Sequence, residues 1–323
     1  MSAAIPAELQ DLIIDEVAPD APTLRHCALV CRTWHPRSSL HLFSTITIKS
    51  RRTLQTLSAL IEARCVWLAH TRTLRLHMSG AYDGVEVAAV ISGLPQLEEL
   101  SVATWDAFSS IQLPYKISLP ALRALRIDAP LETFKVIVSA LGPQVHRLQL
   151  LDVSGVKADE IPELGRLLSS VGPSLSMLRI GFKEYTEGLT DDALRKYISL
   201  QHLPHLRSLT LANLSFHPGY LCTTSYSWVP HVIRQCVADV LVLELGFPPV
   251  MGPGAMSPRV RGRVSDHLLD WVPWTECAEV IQDDTQVVLD VWPRGMVKSD
   301  AVLQAVKCRL HAIDVKRPVL LSV

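Results

Sequence analysis

The chain lacks a dominant charge. Its 323 residues carry 31 Lys and Arg against 32 Asp and Glu, a formal net charge of −1. No whole-molecule field draws such a chain to nucleic acid or to an anionic membrane, and neither is expected as a partner. Cysteines are few and odd in number: seven, at 27, 31, 65, 222, 236, 277 and 308. Scattered in this way they form no disulfide framework and read as reduced, mostly buried thiols. No run of about 20 apolar residues is present to cross a bilayer, and the N-terminus lacks a charged-then-apolar leader. Asn213-Leu214-Ser215 has the spacing of a glycosylation site, which has meaning only in a secreted chain. These absences lead us to expect a soluble intracellular protein, cytoplasmic, nuclear or both.

Catalytic signatures are equally scarce. Gly252-Pro253-Gly254 is followed by neither Lys-Ser/Thr nor a helix start, so it is no phosphate loop. Neither Gly-x-Ser-x-Gly nor His-Glu-x-x-His occurs. Ser154-x-x-Lys157 has the spacing of a Ser–Lys nucleophile pair without the companion motifs of that class. Asp83/Glu86 and Asp283/Asp284 are carboxylate pairs in polar turns and read as solvated or capping groups. Arg259, Arg261 and Arg263 make a basic run too short for a nucleic-acid footprint, with Asp266 beside it. Cys27, Cys31 and His35 fall at i, i+4, i+8 of an expected helix. That span is about 12 Å, too long for all three to reach one zinc ion, so core packing is the better reading. We expect no metal, nucleotide or other cofactor, and no catalysis.

What is present is apolar material in a repeating order. At 48% apolar the chain can bury a large core, and its length exceeds what one compact domain usually holds. Residues 5–48 read as a helical head. Ile5-Pro6 opens a helix whose Leu9, Leu12, Ile13 and Val17 make one apolar face. Pro19 and Pro22 end it, and Thr23 is placed to cap a second helix. Leu24, Cys27, Ala28, Cys31, Trp34 and His35 fall on one stripe of that helix, until Pro36 stops it. A short apolar segment, 40–43, then leads into the β-branched run 44–48. Three short helices bury little surface, so such a unit needs the rest of the chain or a partner.

This head resembles the F-box, the module that docks a substrate receptor onto the Skp adaptor of a cullin–RING ubiquitin ligase. The resemblance is carried by Ile5-Pro6-x-Glu8-Leu9, Ile13, Leu24, Leu29-Val30-Cys31-Arg32-x-Trp34 and Leu42-Phe43. It covers about one-seventh of the chain, and its Val-Cys-Arg-x-Trp style is similar to that of divergent F-box proteins of fungi. The Pro-containing connection at 18–22 departs from many members. The resemblance implies adaptor contacts through Ile5, Pro6, Leu9, Ile13, Leu24, Val30 and Trp34, some of which must also hold the helices together.

Beyond the head, one pattern returns. Thr71-x-x-Leu74-x-Leu76, Leu97-x-x-Leu100-x-Val102, Leu122-x-x-Leu125-x-Ile127 and Val145-x-x-Leu148-x-Leu150 are followed by Leu175-x-x-Leu178-x-Ile180, Leu206-x-x-Leu209-x-Leu211 and Val240-x-x-Leu243-x-Leu245. The starts are 26, 25, 23, 30, 31 and 34 residues apart. Apolar–x–apolar is the period-2 mark of a strand with one face buried. Leu-Pro or Gly-Pro precedes several copies as a turn signal, and helix-period segments lie at 84–94, 131–141, 158–171 and 190–203. A strand and a helix at this period form a solenoid signature, and the spacing resembles the leucine-rich repeat. The family's buried Asn is missing almost everywhere; Asn213, the chain's one asparagine, sits one place early. Without an Asn ladder the loops must satisfy their backbone groups individually.

The expected architecture is therefore α/β. A small three-helix F-box-like head (1–48) precedes an irregular leucine-rich-repeat horseshoe (49–245). The remainder (246–323) comprises irregular terminal repeats with a Pro/Gly loop at 246–258, strands at 285–291 and 317–323, and a helix at 300–310. If the strands line a concave face, Arg126, Arg147 and Arg179 would be neighbours on it. They would form a basic strip flanked by Glu99 and Glu244 that reads an acidic or phosphorylated partner segment; a plain solvated sheet face is the alternative. Trp271-Val-Pro-Trp274 has two readings, a capping core and a binding hot spot. Together these imply a non-catalytic substrate receptor of an SCF-type ligase, docked through a Skp-type adaptor to a cullin and holding an unknown target protein. The alternative is a repeat scaffold for protein–protein interaction with no ligase role.

Overall fold

The computed structural model describes residues 5–78, 84–104, 117–129, 131–182, 191–215, 226–246, 272–281, 284–292 and 319–322. The chain packs as two compact units, Met1–Gln144 and Val145–Val323. Each unit is α/β with its strands parallel, in chain order and open at the ends, so neither closes into a barrel.

The first unit begins with α1 (Ala7–Glu16), α2 (Ala21–Val30) and α3 (Trp34–Ser44). Two prolines act differently from the sequence expectation. Pro22 lies in the first turn of α2, where its fixed φ suits a helix start, so Asp20 rather than Thr23 stands at the N-cap. The Thr23 hydroxyl instead donates to the Asp20 carboxylate. The second helix does not run on to Pro36. It ends at Val30, Cys31 is extended (φ −159°, ψ 167°), and Pro36 is the third residue of α3. A first-turn amide has no acceptor within the helix, so proline is tolerated there and stops nothing.

From α3 the chain passes directly into β1 (Thr45–Ile48), then α4 (Arg51–Glu62), β2 (Thr73–Met78), α5 (Gly84–Ser92), β3 (Glu99–Thr104), β4 (Ala124–Asp128) and α6 (Leu131–Leu141). Ser50 caps α4 by accepting from the Thr53 amide at 3.3 Å. Ile46, Leu74, Leu100 and Leu125 share one register row at spacings of 28, 26 and 25 residues. Leu74 and Leu76, Leu100 and Val102, and Leu125 and Ile127 are buried, as the alternation predicts.

The second unit runs β5 (Leu150–Val156), α7 (Ile161–Ser170), β6 (Met177–Phe182), α8 (Asp191–Tyr197), β7 (Ser208–Ser215), α9 (Trp228–Ile233), β8 (Val240–Gly246), α10 (Trp274–Val280), β9 (Gln286–Trp292) and β10 (Val319–Ser322). The helices at 84–94, 131–141 and 158–171 are found nearly as read, but 190–203 shortens to the seven-residue α8. The expected helix at 300–310 and nearly all of the Pro/Gly loop lie outside the described residues.

Two repeats sit in a different register from the sequence reading. Leu151 and Val153 pair with Leu178 and Ile180, so β5 carries Leu148-x-x-Leu151-x-Val153, three residues beyond the expected Val145-x-x-Leu148-x-Leu150. Leu241 and Leu243 pair with Leu209 and Leu211, a slip of two. The run at 145–153 satisfies the pattern twice, because Leu150-Leu151 breaks the alternation. Pairing with β6 selects the copy that buries Leu151, Val153 and Val156.

The loops are satisfied one by one. Gln144 accepts from the Leu119 amide and donates to the Ile117 and Leu141 carbonyls at 2.5 and 3.1 Å. Gln235 does the same at another turn, accepting from the Leu200 amide at 2.8 Å and donating to the Ile198 carbonyl at 3.4 Å. Hydroxyls tie successive repeats together: Thr71 to the Phe43 carbonyl (2.9 Å), Ser174 to the Leu148 carbonyl (3.0 Å) and Thr285 to the Ala238 carbonyl (2.9 Å). Glutamine and hydroxyl side chains thus do what an asparagine ladder would do.

Helix packing is close at Gly165 of α7, where an added Cβ would collide with the Tyr197 backbone carbonyl of α8. Alanine favours a helix interior over glycine by about 1 kcal/mol. Gly165→Ala is nevertheless expected to destabilise the protein by about 1–3 kcal/mol, because a backbone atom cannot move aside as a side chain can. Urea unfolding of the two proteins checks the sign.

Candidate interaction surfaces

The head closes its core with few residues. Ile14, Leu24 and Cys27 are buried, and polar contacts fasten the rest. Arg37 of α3 donates to both oxygens of Asp15 on α1, at 2.7 and 2.6 Å, and the His41 ring lies 2.7 Å from the same carboxylate. Gln10 accepts from the Trp34 indole N–H at 2.9 Å and from the Thr33 hydroxyl at 3.3 Å, and donates to the Ile5 carbonyl at 2.7 Å. His35 Nδ1 lies 3.0 Å from the Ala28 carbonyl, which only accepts, so the proton is on Nδ1. Its ring meets Trp67 edge-on at 6.1 Å.

Hydrogen bonds from Arg37 and then His41 hold the Asp15 carboxyl down at about 2. A depressed carboxyl contributes stability that is complete above its unfolded value, about 3.9, and lost as pH falls through the folded value. The clamp between α1 and α3 is therefore expected to persist to below pH 4 and fail toward pH 2. Asp15→Asn is expected to lower the melting midpoint at pH 7 and to flatten its decline between pH 4 and 2, as followed by circular dichroism.

The core once closed, the apolar side chains left over face solvent. Ile5 is 50% exposed, Leu9 51%, Leu12 62%, Ile13 43%, Leu29 84% and Val30 63%. The α1 face expected from Leu9, Leu12, Ile13 and Val17 is thus mostly outward, and Ile14 is the inward anchor. Of the residues assigned to the adaptor by resemblance, Ile5, Pro6, Leu9, Ile13 and Val30 are exposed. Leu24 is core, and Trp34 is half-buried on Gln10. Leu12 and Leu29, outside that set, are exposed as well; apolar periodicity alone does not say which side of a short helix meets its own core.

The three arginines do not form one strip. Arg126 on β4 donates through Nε to Glu99 at 2.9 Å. Arg147 is on no strand; it ends the 3₁₀ turn Gly142–Arg147 ahead of β5, a consequence of the three-residue register difference. The residue paired with Arg179 on β5 is Asp152, an acid where a base was expected. Arg179 bonds Asp152 at 3.3 Å, the Ser154 hydroxyl at 2.8 Å and both oxygens of Glu244 at 3.1 and 2.6 Å. Glu244 is on β8, so the guanidinium spans β7, where Ala212 offers no obstructing side chain. Against the desolvation that disfavours its charge, Glu244 and Asp152 raise the Arg179 pKa. It is a structural tie across the sheet face.

Trp271 lies outside the described residues, and Trp274 is buried at the start of α10, which places it in the core. Cys27 and Cys277 are buried free thiols, as expected, whereas Cys31 is exposed. Burial pushes Cys236 up to about 11 and Cys277 up to about 12; the Thr33 hydroxyl and the Trp34 N–H lower Cys31. Because α2 ends at Val30, Cys31 and His35 do not share a helix with Cys27. Among the described residues no three His, Cys, Asp or Glu side chains are grouped to hold a metal ion, and no helix is long and apolar enough to cross a membrane.

No family model matches the chain, and no curated protein matches it. What the described residues define is a two-unit parallel α/β protein with a three-helix head that exposes apolar side chains.

Proposed function

We propose that the chain is the substrate-receptor subunit of an SCF-type ubiquitin ligase. In this reading the F-box-like head docks on a Skp-type adaptor, and through it a cullin, while the leucine-rich-repeat-like strands, arranged as a solenoid, hold a target protein. The observation that supports it most is the division of labour in the head. Ile14, Leu24 and Cys27 close its core with the Asp15–Arg37 and Gln10–Trp34 contacts, and Ile5, Leu9, Leu12, Ile13, Leu29 and Val30 remain in solvent. A small unit that leaves so much aliphatic surface uncovered is suited to burying it against a partner. Of the exposed residues, Ile5, Leu9, Ile13, Leu29 and Val30 are among those that carry the resemblance to the F-box. The protein would supply proximity and orientation of the target in place of reactive groups.

The test is co-purification of the full chain with a Skp-type adaptor. A one-to-one complex with the wild type that is lost on Leu9→Asp supports the reading. A folded wild-type chain that never binds the adaptor leaves a repeat scaffold that binds its partner without a ligase.

A further inference from the structure

Thr47 of β1, Arg75 of β2, Ser101 of β3 and Arg126 of β4 occupy one register row of the first unit. The residues flanking them along the strands, among them Ile48, Leu74, Leu76, Leu100, Val102, Leu125 and Ile127, are buried. The four side chains therefore share the opposite, open face. Strands lie about 4.8 Å apart, so the two arginines start about 10 Å apart with the Ser101 hydroxyl midway. Every member of the row carries an N–H or O–H donor. Glu99 holds the Arg126 guanidinium through Nε at 2.9 Å. Arg75 is exposed and makes no ion pair among the described residues. Among the described residues of these four strands, the other charged or titratable groups on this face are His77 and Asp128, one row further along, on either side of Ala103.

We propose that this row reads a phosphorylated serine or threonine in an extended segment of the target, with the phosphate over Ser101 between Arg75 and Arg126. The inference deepens the receptor reading and rests on it only in calling the ligand a target. A phosphate has three acceptor oxygens and nearly two charges, enough to engage two guanidinium groups and a hydroxyl at once. A side-chain carboxylate has only two oxygens and one charge. Arginine suits this geometry because its planar fork presents paired donors. Among the described residues this face exposes no large apolar side chain that would enter a bilayer; Thr45, Thr47 and Thr73 line it instead. That favours a phosphorylated peptide over an anionic membrane. The strip expected from Arg126, Arg147 and Arg179 does not form, since Arg147 precedes β5 and Asp152 and Glu244 bind Arg179.

The experiment screens the immobilised full chain against a degenerate phosphoserine peptide library and its unphosphorylated twin. Phosphorylated peptides are expected to be retained at least tenfold more, with retention weakened by salt. Arg75→Glu and Ser101→Glu are each expected to remove that preference, and Arg166→Glu, a charge change elsewhere on an exposed side chain, to leave it intact. Unchanged melting curves show that the variants fold, and unchanged adaptor co-purification by Arg75→Glu keeps this test separate from that of the head. Equal retention of the two libraries, or a preference that survives Arg75→Glu, overturns the proposal. Arg75-dependent capture of phosphoinositide vesicles with no phosphopeptide preference overturns it in favour of a membrane.

Discussion

Leu9→Asp is expected to leave the head folded and abolish adaptor binding, whereas Ile14→Asp, little more than one turn along α1, is expected to unfold the head. The two positions are chemically alike in the sequence and differ only in where the helix turns them. Leu9 is half-exposed, so an aspartate there meets water, and surface changes of this kind usually stay within about 0.5 kcal/mol. Ile14 is fully buried. A carboxylate placed there is taken out of water, and burying an unpaired polar group costs several kcal/mol. At an interface, by contrast, a charge pressed against apolar surface suffers that desolvation only on binding. A central aliphatic anchor lost in this way is expected to weaken association by about 100-fold or more, close to 2.7 kcal/mol. Co-purification together with circular dichroism melts separates the two effects. Retention of the adaptor by Leu9→Asp would place its binding site elsewhere.

The largest loss of stability outside the head is expected from Trp228→Ala. Trp228 opens α9 and is essentially inaccessible to solvent, with the Phe182 ring edge-on at 5.2 Å and the Tyr226 ring at 6.3 Å. Truncating a buried tryptophan costs about 3–5 kcal/mol through lost transfer energy and the cavity left behind. In a chain of this size that lowers the melting midpoint by about 6 °C or more. Its indole N–H has no hydrogen-bond partner among the described residues. Trp228→Phe therefore forfeits no hydrogen bond and keeps most of the aromatic contact, so it is expected to cost less than half as much. Equal losses in urea unfolding would mean that ring size, rather than the aromatic contact with Phe182, sets the cost.

Much of the architecture was legible because its signals are local. Alternation at Leu74/Leu76, Leu100/Val102 and Leu178/Ile180 marked the buried side of each strand, and α6 was read at its observed bounds. The missing asparagines correctly announced loops satisfied individually, but not that Gln144 and Gln235 would do it, since glutamine in a turn carries no distinctive spacing. The proposed sites were less legible. Glu99, expected to flank the strip, pairs with Arg126. Arg75 is not part of the strip expected from the sequence, because its place beside Ser101 and Arg126 depends on pairing three strands in register. In the head, apolar spacing found α1 but not its inward side, which Asp15, Arg37, His41 and Gln10 settle through contacts with residues more than 20 positions away.

The sequence by itself determined which residues of most strands lie on the same side, where most helices run and which prolines stand at boundaries, because backbone geometry and side-chain alternation act over a few residues. Only the tertiary structure decided that β5 begins after Arg147, that Asp152 faces Arg179, and that Ile14 rather than Leu9 is core. Each of these is a choice between nearly equal local alternatives. The neighbouring strand or helix makes it, by offering buried apolar contact to one alternative and not to the other.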